Sequence, residues 1–144
     1  MSTTFLAGLD GSEESIKAAS YAAIQAQHAG ASLVLAHVIE WSGFDLLGPE
    51  ELAERHKIRE TELQRAQSQV IQPMVDLLAD QIIDIETVIH HGHAAKTLLT
   101  MIEENDINHV FIGRRGASRL AIALVGSTTN SIIQASPVPI TVVP

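Results

Sequence analysis

The segment His109-Val110-Phe111-Ile112-Gly113-Arg114-Arg115-Gly116 joins a short apolar run to a pair of glycines. Residues 109–112 are typical of a buried strand, and Gly126-Ser127-Thr128 follows at the start of a helical pattern. Glycine lets the backbone approach a ligand closely because it has no side chain. A helix start offers free N–H groups and a positive dipole end to a phosphate. The spacing therefore predicts a chain that holds a nucleotide polyphosphate from two sides.

Strand-like and helix-like patterns alternate along the rest of the chain. Strands are predicted at residues 5–9, 32–39, 82–89, 110–112 and 140–143, and helices at about 13–29, 50–80, 95–105 and 127–135. Ser12 is expected to cap the first helix, and Pro73 should kink or split the second. The alternation predicts one α/β domain over residues 1–144, with an open parallel sheet and helices on both faces.

Two loops at the carboxyl ends of predicted strands carry polar or glycine residues. Asp10-Gly11-Ser12 follows the first strand, and residues 113–116 follow the fourth. Open α/β sheets bind ligands beyond the carboxyl ends of their strands, where the strand order reverses. If the first and fourth strands are neighbours, both loops meet at one crevice, but the sequence alone does not prove that adjacency.

Composition excludes several classes of function. The 144 residues are 46% hydrophobic but only 3% aromatic, so the core is expected to be aliphatic. The absence of cysteine excludes disulfides, thiol catalysis and thiolate metal sites. A net charge of −8 with scattered basic residues argues against nucleic-acid binding. No run is long enough to cross a membrane, and residues 1–4 have no basic secretory start, so we expect a cytoplasmic location.

The sequence resembles the nucleotide-binding branch of the universal stress protein family. The branch pattern G-x2-G-x9-G-[S/T] falls on Gly113, Gly116, Gly126 and Ser127. The resemblance extends to Asp10-Gly11-Ser12 after the first strand, to Val38, to His91-Gly92 and to the closing residues 136–143. It therefore covers essentially the whole chain.

The resemblance implies a five-stranded sheet in the order 3-2-1-4-5, with ATP and Mg²⁺ bound where the order switches. Asp10 would contact the ribose or adenine region, and the backbone near Leu9 and Val38 would line the adenine. The ribose and the phosphates would be contacted by the remaining site residues, which are Ile112, Gly113, Arg115, Gly116, Gly126, Ser127 and Thr128. The family often has Ser, His, Arg or Gly between the first two glycines, whereas both residues are Arg here, and Arg114 is not among the expected site residues.

Family resemblance also implies a homodimer formed through the C-terminal strand, residues 140–143, which should be a sheet edge. The family suggests a nucleotide-responsive stress or signalling protein with an unknown protein partner. Hydrolysis is expected to be slow at most, because the chain has no G-x-x-x-x-G-K-[S/T] loop and no recognisable nucleophile.

Other interpretations remain open at this stage. Asp10 could serve only to cap the first helix, and the glycines could be ordinary turn residues. Trp41 and Phe44 could stack on a base or simply cover the core. The histidines His90, His91 and His93 suggest a metal site, although a solvated loop is favoured because no carboxylate or thiolate has ligand spacing.

Function also has alternatives. The ligand could be AMP or cyclic AMP, which would make the protein an AMP or cAMP sensor. An ATP-using enzyme of related α-hydrolase-like architecture is a second class, but it would want a Ser-Gly-Gly-x-Asp-Ser loop that the first strand does not supply. A dimer that has lost its ligand is a third.

Overall fold

The fold is a five-stranded α/β sheet, described for residues 2–40, 49–115 and 125–144 by a computed structural model. The predictions for Trp41, Phe44 and Gly116 lie outside these ranges. The elements in chain order are β1 (Thr4–Leu9), α1 (Glu13–Ala29), β2 (Ser32–Glu40), α2 (Pro49–Ala66), a π-helical segment (Gln67–Ile71), α3 (Gln72–Leu77), β3 (Ile85–Gly92), α4 (Ala94–Glu104), β4 (His109–Gly113), α5 (Ser127–Ala135) and β5 (Ile140–Val143).

The sheet has the predicted order β3-β2-β1-β4-β5, and every pair of neighbours is parallel. The adjacency of β1 and β4, on which the predicted crevice depended, is therefore confirmed. Pro73 lies in the first turn of α3 and divides the long helix, as predicted. The bounds of the third strand differ from the sequence prediction. The third strand was predicted at residues 82–89, but it pairs with β2 through to Gly92.

The core consists of two apolar clusters, one on each face of the sheet. Phe5, Ala7 and Leu9 point to the face covered by α1 and α3, whereas Leu6 packs on the opposite face. That second face is covered by α4 and α5, with Ile132 fully buried. The alternation along β1 is the two-residue period of a strand buried on both sides.

The helices of the described residues are too short or too polar to cross a membrane.

Candidate functional site

A cavity of about 410 Å³ lies at the carboxyl ends of β1, β2 and β4, where the strand order reverses. Its volume falls in the usual range of small-molecule sites. The predicted site residues that line it are Leu9, Asp10, Val38, Ile112, Gly113, Arg115, Ser127 and Thr128. Gly126 directly precedes α5 without lining the cavity, and Gly116 is outside the described residues.

Further lining residues were not anticipated from the sequence. They are Gly8, Ser15, Ala36, His37, Glu40, Ala94, Leu98 and Thr129. His37 immediately precedes the predicted Val38, so its position at the end of a strand was a usable signal. The contributions of Ala94 and Leu98 depend on how α4 packs against the sheet, which no local pattern indicates.

The turn between β1 and α1 satisfies its own hydrogen-bonding groups. Asp10 Oδ1 accepts hydrogen bonds from the Ser12 backbone N–H, at 2.9 Å, and from the Ser12 hydroxyl. Ser12 is the N-cap of α1, as predicted, and its Oγ accepts from the Ser15 N–H at 3.2 Å. Glu13 and Glu14 follow in the first turn. The start of α1 is thus both capped and acidic, and it is poorly suited to an anion.

The start of α5 has the opposite character. Its N-cap is Gly126, no side chain caps it, and its first turn contains no acidic residue. Ser127 is the first helical residue and therefore does not cap this helix. The first N–H groups of an α-helix have no partner within the helix. This helix start consequently offers backbone donors and a positive dipole end beside a cavity lined by Ser127 and Thr128.

Hydrogen bonds hold the two described ends of the β4–α5 connection together. The Gly126 N–H donates to the Arg114 carbonyl oxygen at 2.8 Å. The buried Thr129 hydroxyl donates to the Gly113 carbonyl oxygen, also at 2.8 Å. These bonds fix the position of the α5 start relative to the end of β4.

Gly113 is required by helix packing, in addition to any approach of a ligand. A Cβ atom at this position would lie 2.9 Å from both the backbone carbon and the Cβ of Glu14. Real Cβ contacts are essentially never that short, so α1 would have to move. The first turn of α1 therefore approaches Gly113 closely, which the sequence did not indicate.

Arg115 is the one permanently cationic side chain among the described residues that line the cavity. Its Nη2 lies 3.9 Å from Glu14 Oε1, and the Glu14 side chain is only 8% exposed. Arg115 itself is 33% exposed, so it remains accessible from the cavity. Arg114, its neighbour, is exposed and does not line the cavity.

The predicted histidine cluster lines a second, larger cavity of about 630 Å³ beside β3 and α4. His93 is the N-cap of α4, and His91 Nε2 lies 3.3 Å from Glu62 Oε2. Within residues 2–40, 49–115 and 125–144, no three histidine or acidic side chains are grouped closely enough to hold a metal ion. His93 therefore caps a helix and His91 contacts a carboxylate, while His90 and His91 lie in β3 and not in the predicted loop.

Comparison with known proteins agrees with the observed fold. The profile described as the universal stress protein family matches residues 1–144. This chain belongs to the universal stress protein family.

Two relatives show the range of lengths in which such a domain occurs. The universal stress protein YxiE of Bacillus subtilis is 26% identical over 148 residues, which cover 99% of each chain. An uncharacterised protein of Schizosaccharomyces pombe is 29% identical over 142 residues, covering 96% of this chain but 23% of that protein. The chain therefore spans less than a quarter of the yeast relative.

Solved structures share the fold at low sequence identity. UspA from Lactobacillus plantarum superposes with a TM-score of 0.88 at 21% identity, covering 99% of this chain and 97% of that one. A universal stress protein in complex with cAMP gives 0.62 at 22% identity, over 99% and 96%. One from Archaeoglobus fulgidus in complex with dAMP gives 0.66 at 15% identity, over 100% and 98%.

Proposed function

We propose that this chain binds an adenine nucleotide, with ATP and its Mg²⁺ as the first candidate, in the 410 Å³ cavity. The observation that carries the proposal is the uncapped, non-acidic start of α5, which shares one cavity with the cation Arg115. Backbone donors at a helix start and a guanidinium group are the two common protein partners of phosphate. Family members solved with cAMP and with dAMP support adenine as the base.

In this proposal the predicted residues contact different parts of the nucleotide. Arg115, Gly126, Ser127 and Thr128 hold the phosphates, together with Gly116. Ile112 and Gly113 lie against the ribose and the first phosphate, and Leu9 and Val38 line the base. Asp10 accepts a hydrogen bond from a ribose hydroxyl. A carboxylate accepts about four hydrogen bonds, so the contacts of Asp10 with Ser12 are compatible with this role.

We propose a binding module in a cytoplasmic stress or signalling response, with hydrolysis slow at most. Fast phosphoryl transfer in P-loop enzymes uses a lysine and a hydroxyl from the sequence G-x-x-x-x-G-K-[S/T], which this chain lacks. The Mg²⁺ would arrive on the triphosphate of the nucleotide. A protein partner that responds to the bound form would complete the signal.

Thermal unfolding with ATP, AMP and cAMP, each with and without Mg²⁺, tests the proposal. A ligand at about 100 times its Kd adds roughly 2.7 kcal/mol to the apparent free energy of unfolding. The nucleotide that gives the largest shift at equal concentration identifies the preferred ligand. If none of the three changes the unfolding temperature, the proposed function is wrong.

Adjacent arginines provide a matched pair of variants. Arg115→Gln should weaken nucleotide binding about tenfold, which is about 1.4 kcal/mol, because Arg115 lines the cavity. Arg114→Gln removes the same charge one residue away, from an exposed side chain outside the cavity, and should leave the Kd unchanged. Equal losses in the two variants would mean that only net charge matters, and the site assignment would fail.

We also propose that the single domain forms a homodimer through β5. This strand is at the sheet edge, and its residues are only half-buried. The carbonyl oxygens of Pro139 and Val143 accept hydrogen bonds from the β4 side. Backbone groups alternate in direction along a strand, so Val142, one residue before Val143, directs its N–H and carbonyl groups away from β4. Val142→Pro removes an outward donor while keeping the β4 ladder. Sedimentation at micromolar concentration should show a dimer for the parent and a monomer for Val142→Pro, and a monomeric parent would contradict the proposal.

A further inference from the structure

His37 is held by a hydrogen bond that determines which of its ring nitrogens carries the proton. His37 Nδ1 lies 2.6 Å from the Leu9 carbonyl oxygen, and the two residues are opposite each other in the β1–β2 register. A carbonyl oxygen can only accept, so Nδ1 must be the donor. In the neutral ring, Nε2 then has a lone pair and is an acceptor.

The second ring nitrogen has no hydrogen-bond partner in the part of the chain that the structure describes. His37 lines the 410 Å³ cavity and is partly buried. By the alternation of β2 it is on the face of Leu33 and Leu35, opposite that of Ala36 and Val38. A partly buried acceptor without a protein partner gains from a ligand that brings a donor.

His37 lies at the opposite side of the cavity from the proposed phosphate end. It is on β2, whereas Gly113 ends β4 and Arg115 follows it, and β1 lies between these two strands. Two strand spacings amount to about 10 Å. A nucleoside phosphate spans such a distance from its base to its phosphate, so a ligand held at α5 would present its base near His37.

We propose that His37 Nε2 accepts a hydrogen bond from the exocyclic 6-amino group of the purine, and that His37 thereby selects adenine over guanine and hypoxanthine. The inference rests on the proposed function, and it adds the group that determines base specificity. A 6-oxopurine presents a carbonyl oxygen at the same position. Two lone pairs would then face each other, and neither would find a donor. Sites built to bond one polar group reject analogues that lack it more strongly than apolar pockets reject a methylene.

Analogues on the parent protein test the inference without any substitution. Titration calorimetry at about pH 8, where imidazole is ordinarily neutral, would compare ATP with GTP and with purine riboside triphosphate, which lacks only the 6-amino group. We expect a roughly tenfold weaker Kd for the riboside and a larger loss for GTP. Equal affinity for ATP and the riboside would overturn the inference while leaving the proposed function intact. No binding of any of the three would instead refute ATP as the ligand in the proposed function.

Two substitutions then assign the selectivity to Nε2. His37→Asn places an amide N–H where Nδ1 was, so the bond to the Leu9 carbonyl oxygen can persist while the Nε2 acceptor is lost. We expect ATP to bind this variant no better than the riboside. His37→Gln can place an amide oxygen near the Nε2 position, and it should recover part of the preference. If His37→Asn keeps the ATP-to-riboside ratio of the parent, His37 does not read the base.

Discussion

The two strand-to-helix connections beside the cavity end in helices with opposite electrostatic character. Between β1 and α1, Asp10 and Ser12 satisfy each other and the helix start, and two glutamates follow. Between β4 and α5, the N-cap is a glycine without a side-chain bond, and no acid follows. The same topological position thus gives one helix start that stabilises itself and one that offers its N–H groups to a ligand.

The two helix starts therefore contribute to different properties: the start of α1 to folding stability and the start of α5 to the proposed binding. Capping residues at a helix start contribute about 1 kcal/mol to folding, and α1 has that contribution. Gly126 gives up a few tenths of a kcal/mol of it, and α5 is positioned by hydrogen bonds to the end of β4. Substitution of the Ser12 cap should therefore change the free energy of unfolding, whereas substitution of Gly126 should change affinity.

The contact between the two connections should give the largest effect. Gly113→Ala places a Cβ 2.9 Å from the backbone of Glu14, and we expect it to lower the free energy of unfolding by about 2 kcal/mol or more. Gly8→Ala is the matched control, because its Cβ would meet Leu98 and Ile112 at ordinary distances of 3.7 and 3.8 Å. Urea unfolding measures both. Similar stability for the two variants would show that α1 can shift away from β4.

A charge at the start of α5 should have the next largest effect. Gly126→Asp adds an N-cap that stabilises the free helix by a few tenths of a kcal/mol and places a negative charge where the phosphate is proposed to bind. We expect a roughly tenfold weaker Kd for ATP, or about 1.4 kcal/mol, with no loss of stability. Gly126→Asn caps α5 without adding a charge. It therefore distinguishes competition for the helix N–H groups from electrostatic repulsion of the phosphate. Unchanged affinity in both variants would place the phosphate elsewhere.

Removing the cap of α1 should have the converse result. Ser12→Ala deletes the acceptor of the Ser15 N–H and the donor to Asp10, and it should cost about 1 kcal/mol of stability. The Kd for ATP, measured where both proteins are fully folded, should not change. A loss of affinity comparable to that of Gly126→Asp would mean that α1, and not α5, faces the phosphates.

The sequence predicted the architecture well because its signals are local and repeated. Apolar runs, a serine cap and Pro73 each act within a few residues, and the strand order followed from the family resemblance. The error at β3 has a physical cause. Ile82 extends the apolar run but is 85% exposed, so hydrophobicity there did not mean burial.

The sequence predicted which backbone segments form the site, but not the side-chain contacts between them. Strand ends and glycine spacing indicated which segments meet, and most of the predicted residues do line one cavity. The packing of Gly113 on Glu14 and the ring of His37 on Leu9 join residues from different elements. Such contacts depend on the register between strands and on the height of a helix above the sheet, and a single sequence shows neither.

The far end of β4 provides a test in which stability should change while binding does not. His109 stacks on Phe111, with ring centroids 4.4 Å apart, and its Nε2 lies 2.7 Å from Thr141 Oγ1. Burial lowers the pKa of His109 below its ordinary 6.5. The unfolded chain therefore binds this proton at a higher pH than the folded one. The contribution to stability is complete above pH 6.5 and is lost as the pH falls toward the folded-state pKa.

His109→Phe keeps an aromatic ring but cannot titrate, so its free energy of unfolding should fall less than that of the parent between about pH 8 and pH 5. Urea unfolding at both pH values measures this difference, in which the titration of the remaining histidines and carboxylates cancels. The Kd for ATP at pH 8 should be the same in both proteins, because His109 is at the opposite end of β4 from Gly113 and does not line the cavity. A change in affinity as large as that of Gly126→Asp would show that the two ends of β4 are coupled, and the contrast between the two connections would then no longer explain binding alone.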